Sequence, residues 1–218
     1  MKSFLRTLLC AACCAVVPAH AGFFIPKDTT MLMGMYSPDA QSFEAMHGLS
    51  RNVSIAAGYH RYKSDDGKKD RQFATVQAAY LLNRSYSADG VSNLYVFGGP
   101  VLARSDELAD DEAGIQAGIW ADYETRRVYL RASVQRHDAE VVEQTVTTAQ
   151  TLWAPYAADY EDVATWFGVQ LQRRTHLSEH TQITPMLRFF QRTWWVDAGV
   201  SVNDQHRGDV YLNIMLLF

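Results

Sequence analysis

Cysteine is almost absent from this chain of 218 residues. All three cysteines, Cys10, Cys13 and Cys14, lie within the first 21 residues. The chain from Gly22 onward therefore has no thiol for a disulfide bond or for thiolate chemistry. Basic residues are not in excess either, since 20 Lys and Arg stand against 24 Asp and Glu. This balance argues against a nucleic-acid partner, because phosphate binding requires surplus positive charge.

Long hydrophobic runs are missing as well. No segment has the 18 or more consecutive apolar residues that are typical of a transmembrane helix. The apolar run at 8–17 is short, follows a basic N-terminus and precedes Ala19-His20-Ala21, which is typical of a cleavage site. We interpret residues 1–21 as a cleaved export signal peptide and residues 22–218 as one domain.

The sequence is rich in period-two alternation, which is typical of β-strands with one apolar face. The clearest case places Ile115 and Ile119 on one face and Gln116 and Asp122 on the other. Such runs predict ten strands, each close to the 9–11 residues of a tilted membrane strand: 29–37, 41–48, 53–63, 71–82, 92–104, 113–124, 127–137, 163–172, 182–193 and 210–218. Eight or twelve strands are also compatible, because the first hairpin and segment 138–161 are ambiguous.

Two prolines interrupt these patterns. Proline cannot donate to a β-ladder, and a closed barrel has no free edge to accommodate it. We therefore expect a bulge at 98–100, around Pro100, and a strand that begins near Met186 rather than before Pro185.

Alternation alone does not distinguish a soluble barrel with an apolar interior from a membrane barrel with an apolar exterior. The last run ends on Phe218, preceded at every second position by Leu216, Ile214, Leu212 and Val210. This pattern resembles the C-terminal signature of Gram-negative outer-membrane β-barrels. The resemblance implies engagement by the barrel-assembly machinery, with periplasmic chaperones as further partners during biogenesis.

The connections also favour a membrane barrel, in which periplasmic turns are short and outer loops are long. Counted from a periplasmic N-terminus, the short turns are 49–52, 125–126 and 175–181, and the long polar outer loops are 64–70, 105–112, 138–161 and 194–208. Aromatic residues near strand ends suggest an interfacial girdle: Tyr80, Tyr123 and Phe218 at the periplasmic end, and Tyr59 and Trp195 at the outer end.

The predicted fold class is thus all-β: a closed, antiparallel, up-and-down transmembrane β-barrel of about ten strands in the outer membrane of a Gram-negative bacterium. Its expected partners are outer-membrane lipid and lipopolysaccharide, and its oligomeric state is left open. No cofactor is predicted.

The inward face supplies the candidate functional residues. The lumen set comprises Glu44, Gln116, Asp122, Arg127, Arg131, Gln170 and Arg188. Opposite charges in a narrow lumen are expected to pair, because an isolated buried ion is costly. We therefore predict that Glu44 pairs with Arg131 or Arg188, and that the barrel is a structural or narrow-pore protein with a plugged lumen and acidic outer loops.

Two other function classes remain open. A surface-binding or adhesion barrel would act through loop 138–161, and an envelope enzyme would need a catalytic set, which the sequence does not offer. A metal-related barrel is a further alternative, because thioethers suit soft ions such as Cu(I). Its weak candidate ligands are Met31, Met33, Met35 and His47.

Overall fold

The computed structural model describes residues 25–140, 142–159 and 161–218. The signal peptide predicted at 1–21 lies outside the described residues.

Twelve antiparallel strands form one closed barrel, in which each strand pairs with its sequence neighbours and β1 pairs with β12. The strands are β1 Thr30–Ser37, β2 Ala40–Gly48, β3 Val53–Lys63, β4 Asp70–Tyr86, β5 Gly90–Ser105, β6 Glu112–Thr125, β7 Val128–Ala139, β8 Val142–Trp153, β9 Ala164–Arg174, β10 Gln182–Gln191, β11 Trp194–Val200 and β12 Val210–Leu217. The closed up-and-down barrel is confirmed; the strand number is not the expected ten but twelve, one of the two alternatives that the sequence left open.

The helical content of the described residues is small. A single 3₁₀ turn, Asp204–His206, lies between β11 and β12. No helix within these residues has the length and apolar character needed to cross a membrane.

The first missed strand, β8, lies inside the segment that was expected to be loop 138–161. Its pattern is inverted relative to the other strands, because Val146 and Leu152 face the interior while Thr147 and Ala149 face outward. Because the outward residues of β8 are mostly polar or small, its sequence lacks the outward apolar alternation that is typical of a membrane strand. The hairpin of β7 and β8 therefore replaces the predicted long outer loop, and the adhesion hypothesis loses the loop on which it depended.

The second missed strand, β11, lies inside the expected loop 194–208. It has only seven residues, which gives too few alternations for a clear periodic signal. The consequence for the interior is large, because β11 carries Trp195 and Asp197 inward. Trp195 was expected in the outer girdle, but it is buried inside the barrel.

The two faces of the wall have opposite character. Ile115 and Ile119 are 67% and 44% exposed, whereas Gln116 and Asp122 on the same strand are 2% and 5% exposed. Exposed apolar residues recur on the outer face around the barrel. The period-two assignment of β6 is therefore confirmed, and the outside of the barrel is its apolar side.

Both prolines are accommodated without the expected irregularities. Pro100 lies within β5 opposite Ile115, and the β4–β5 register is the same on either side of it. The bulge expected at 98–100 is wrong; the register shift lies instead between Leu81 and Asn83. Pro185 lies within β10, paired with Val169, rather than before the strand.

The barrel has a terminal end, where Thr30 and Phe218 exchange backbone hydrogen bonds, and an opposite end. Because β8 is an additional strand, the connection after β9 lies at the other end from the one expected. Segment 175–181 lies at the opposite end, not at the terminal end, and the 154–163 connection lies at the terminal end. The exposed rings include Tyr80 and Phe218 toward the terminal end and Tyr59 toward the opposite end.

Candidate functional site

The barrel interior holds a buried ion pair in its terminal half. Arg188 on β10 donates from Nε and Nη2 to the two carboxylate oxygens of Asp197 on β11, at 2.6 and 2.9 Å. Neighbouring strands add to this pair, because Asn213 donates to Asp197 at 3.1 Å and Arg188 also reaches Gln150 at 3.3 Å. A charged pair that is fully enclosed and hydrogen-bonded in this way fixes the side chains that fill the lumen.

A second layer uses an aromatic surface. The Arg131 guanidinium lies 3.6 Å from the centroid of the Trp120 ring, a cation–π contact. The Trp120 indole N–H in turn donates to Asp122 at 2.9 Å, and Asn93 donates to the same carboxylate at 2.7 Å. These four side chains therefore form one connected set across β5, β6 and β7.

Amides continue the network toward the opposite end. Gln116 donates to Gln77 at 3.1 Å and accepts from Gln135 at 2.9 Å. Nearer the opposite end, the ring of His137 stacks on Phe73 with centroids 4.4 Å apart and lies 5.6 Å from the ring of His60. Polar groups that bond to one another in this way leave little of the lumen for water.

A cavity of about 100 Å³ lies between these layers. Its lining includes Met33 and Met35 from β1, Glu44 from β2, His60 from β3 and Arg131 from β7. In the closed order of strands, β7 lies across the barrel from β1. The cavity therefore has a wall of carboxylate, imidazole and thioethers that faces a guanidinium, and it has room for a few water molecules or one ion.

The opposite end of the barrel is tied together by a cluster of charged side chains. Arg174 at the end of β9 donates to the Asp39 carboxylate and, at 2.9 Å, to its backbone carbonyl. His206 Nδ1 lies 3.4 Å from both Asp39 and Asp209, and its Nε2 lies 3.2 Å from Asp65. The β1–β2, β3–β4 and β11–β12 connections thus meet at one buried imidazole.

Electrostatics at this cluster favour the ionised carboxylate of Asp39. Burial opposes ionisation, but the charge and hydrogen bonds of Arg174, together with a hydrogen bond from Ser37, hold the pKa of Asp39 below its usual value. The ligand atoms of Asp39, His206 and Asp209 lie within 4.8 Å of one another. Since Arg174 already supplies a cation to Asp39, the cluster is balanced by protein groups.

Two acids of loop 105–112 form ion pairs with basic side chains. Glu107 lies 2.8 Å from Lys69 and 2.7 Å from Arg71, and Asp111 lies 2.7 Å from Arg104. The hydrogen bond from Lys69 is the main cause that holds the pKa of Glu107 below its usual value. These acids therefore stabilise the loop, which reduces the charge they present to a partner.

The terminal end opens into a wider vestibule of about 580 Å³. Trp166 and Phe190 are buried and line it, while Asp89, Glu124 and Arg192 contribute charged groups to its wall. The space at the terminal end is therefore larger than the central cavity.

The predicted lumen residues mostly face inward. Glu44, Gln116, Asp122, Gln170 and Arg188 are buried, and Arg131 lines the central cavity. Arg127 does not belong with them, because it sits in the β6–β7 turn and its exposed side chain donates to the carbonyls of Ala154 and Pro155. The expected pairing of Glu44 with Arg131 or Arg188 is not found among the described residues: Arg188 pairs with Asp197, Arg131 lies over the Trp120 ring, and Glu44 lies 3.5 Å from His60.

The structure divides the candidate metal ligands. Met31, Met33 and Met35 face the interior, but His47 lies on the outward side of β2, where its ring meets Thr30 at 3.0 Å. His47 is therefore wrong as a partner for these thioethers. The imidazole that shares the cavity with Met33 and Met35 is that of His60; the alternation of strand 53–63 carried this signal, which sequence reasoning did not use.

Comparisons with known proteins give a limited result. No protein-family model matches the sequence, and no curated protein matches it significantly. Among solved structures, the chain is similar to a KdgM porin at 8% identity and a TM-score of 0.48, over 87% of this chain and 99% of the porin. A KdgM porin in complex with disordered oligogalacturonate gives 7% identity and a TM-score of 0.47, over 87% and 98%. Values this low transfer neither ligand nor transport function.

Proposed function

We propose that this protein is an integral outer-membrane β-barrel that is not an enzyme. The observation that carries the proposal is the polarity of the wall, apolar and exposed outside while the interior holds buried ion pairs such as Arg188–Asp197. Water would not favour such an exterior, but a bilayer would, because lipid requires every backbone group to be paired in a closed sheet.

The proposed orientation places the terminal end in the periplasm. The opposite end, with the Asp39–Arg174 cluster and the paired acids of loop 105–112, then faces the cell exterior. Lipid and lipopolysaccharide are the proposed partners of the outer face, and the barrel-assembly machinery acts during biogenesis. Phe218 supports that last role, because it is 67% exposed on the outward face beside the β1–β12 seam.

We further propose a structural or narrow-pore role with an occluded lumen. The layers around Arg188 and Arg131 leave a central space of about 100 Å³, which is too small for a sugar or peptide to pass without rearrangement. Water and single ions are the species that such an interior would admit.

Cell fractionation and planar bilayers test the two parts separately. We expect recovery with the outer membrane and a gel mobility that differs between the unheated and the heated protein. Recovery as a soluble periplasmic protein would refute the membrane proposal.

In planar bilayers we expect little or no conductance from the unmodified protein, and large steady steps would refute the occluded lumen.

A pair of variants locates any conductance. Trp120→Ala with Arg131→Ala removes the stacked pair at the cavity, and we expect conductance to rise. Tyr36→Ala removes a ring of similar size from the exposed outer face and should leave conductance unchanged. An equal rise in both variants would mean that the lumen layer is not the barrier.

A further inference from the structure

Methionine and isoleucine separate completely between the two faces of the wall. Every isoleucine in the twelve strands is exposed on the outward face: Ile55, Ile115, Ile119, Ile183 and Ile214. Every methionine in the described residues lies on the inward face of a strand: Met31, Met33, Met35, Met46, Met186 and Met215. Because both side chains are apolar and both suit lipid, burial preference alone does not explain this separation.

Five of these methionines lie on three adjacent strands. In the β1–β2 register Met31 is opposite Met46, and in the β1–β12 register Met33 is opposite Met215. Met35 follows two residues later on the same face. The thioethers therefore form a continuous track on the inner wall, which runs from the terminal half of the barrel to the central cavity.

The track ends where other metal-binding groups begin. Met33 and Met35 line the central cavity together with Glu44 and His60. Across β1, β2 and β3 the register places Met33, Glu44 and Gly58 in one row and Met35, Ser42 and His60 in the next. Gly58 and Ser42 are the small residues of these two rows, and they leave space inside the lumen for the larger side chains to meet.

Gly58 is required for this arrangement. A Cβ at Gly58 would lie 2.9 Å from Thr75 Oγ1, 3.1 Å from Glu44 Cγ and 3.3 Å from His60 Nε2. His60 Nε2 is buried and makes no hydrogen bond among the described residues, although Glu44 Oε1 lies 3.5 Å from it. An imidazole, a carboxylate and two thioethers therefore line one small cavity, and these groups together could ligate a metal ion.

We propose that the central cavity binds a soft monovalent metal ion of the Cu(I) or Ag(I) class. Met33 and Met35 supply thioether sulfur, His60 supplies the imidazole nitrogen, and Glu44 supplies negative charge that offsets Arg131 across the cavity. Thioether and imidazole ligands favour soft ions of this type over Mg²⁺ or Ca²⁺, which prefer oxygen. The site depends on the barrel interior and not on the membrane in which the barrel is placed.

Binding of Ag(I) alone to the purified full chain in detergent tests the site, because Ag(I) does not require control of its oxidation state. We expect saturable binding by isothermal titration with one tight ion per barrel. Met33→Leu with Met35→Leu should weaken binding by about tenfold or more, as loss of metal-supporting residues commonly does. His60→Gln should weaken it as well.

The matched control is Met186→Leu. Met186 is also buried inside the barrel, but its sulfur already accepts a hydrogen bond from Gln150 at 3.2 Å and it does not line the cavity. We expect this variant to bind Ag(I) like the unmodified protein. Equal loss in Met186→Leu and in the cavity variants would overturn the proposal, as would absence of saturable Ag(I) binding or tight binding that also occurs with Ca²⁺.

Gel mobility before and after heating is recorded for every variant, so that loss of folding is separated from loss of ligands. A heat-modifiable barrel that does not bind Ag(I) refutes the metal site and leaves the proposed membrane barrel intact. Conversely, a soluble protein that binds Ag(I) refutes the membrane location and keeps the site.

Discussion

Arg188 and Asp197 face each other on neighbouring strands inside the barrel, and neither side chain is more than 2% exposed. Two hydrogen bonds join them, and the rings of Tyr129 and Trp195 lie 5.0 and 4.9 Å from the guanidinium carbon. The charges are thus removed from water and depend on each other. This enclosed pair supports the occluded lumen proposed above.

Removal of one partner should therefore be costly. Asp197→Asn leaves the Arg188 charge buried without its counter-ion, and we expect a loss of about 3–5 kcal/mol in the free energy of unfolding. Urea unfolding in lipid vesicles or detergent measures it. The double variant Arg188→Met with Asp197→Asn should recover part of the loss, because it leaves no isolated charge.

An exposed pair provides the control. Asp111→Asn breaks the Arg104–Asp111 pair at the opposite end, where Arg104 is well exposed, and the change in the free energy of unfolding should be much smaller than at the inner pair because water screens exposed charges. Equal effects at the two sites would show that the inner pair is solvated.

The same pair shows where sequence reasoning ended. Arg188 was recognised as an inward cation because its strand alternates clearly, but its partner Asp197 lies on β11, whose seven residues were assigned to a loop. Glu44 is one of the few carboxylates that the clear alternation places inward, and the sequence therefore predicts it as the partner. A single missed strand thus changed the predicted ion pair.

Alternation correctly predicted the faces wherever outward residues are large and apolar, as at Ile119 on β6. It failed on β8, where Thr147 and Ala149 face outward and Leu152 faces inward. The cluster around Asp39 and His206 could not be predicted at all, because it depends on which loops meet at the barrel end. That meeting is set by strand number and register, and not by local pattern.

Position along one strand tests the membrane exterior. Ile119→Arg places a cation at the middle of β6 on the lipid-facing side, and we expect a loss of about 2–4 kcal/mol in the free energy of unfolding in bilayers. Ile115→Arg lies four residues nearer the opposite end on the same face, and its cost should be smaller, toward about 0–1 kcal/mol at the interface. Equal costs would contradict a bilayer around this strand.

The β1–β12 seam provides the third test. Thr30 N–H donates to the Phe218 carbonyl at 2.7 Å and Phe218 N–H donates to Thr30 at 2.9 Å. Phe218→Asp keeps both backbone groups but places a charge where an exposed ring lies, so we expect reduced insertion into the outer membrane. Phe218→Tyr keeps the ring and should insert normally. The amount of heat-modifiable protein in membrane fractions, compared at equal expression, measures the insertion of both variants. Normal levels of Phe218→Asp would exclude a role of the ring in insertion.

Acid should loosen the opposite end of the barrel through Asp39. Burial raises the pKa of this carboxyl, but the opposite effects of Arg174, Ser37 and His206 are together larger. The folded-state pKa therefore lies below the usual value of 3.8. A carboxylate with a depressed pKa stabilises the folded state above its unfolded pKa, and this contribution is lost as the pH falls through the folded pKa. We therefore expect the free energy of unfolding to decline below about pH 4, where protonation of Asp39 leaves Arg174 unpaired.

Asp39→Asn separates this effect from general acid unfolding. The variant should be less stable than the unmodified protein at pH 7, because Arg174 has lost its charge partner. Between about pH 5 and pH 3, the range in which a carboxyl group titrates, its stability should change less than that of the unmodified protein. Asp110→Asn, at an exposed position in loop 105–112, should decline as the unmodified protein does. Urea unfolding at each pH measures all three proteins. If Asp39→Asn fell as steeply as the other two, protonation of Asp39 would not be the event that releases this end of the barrel.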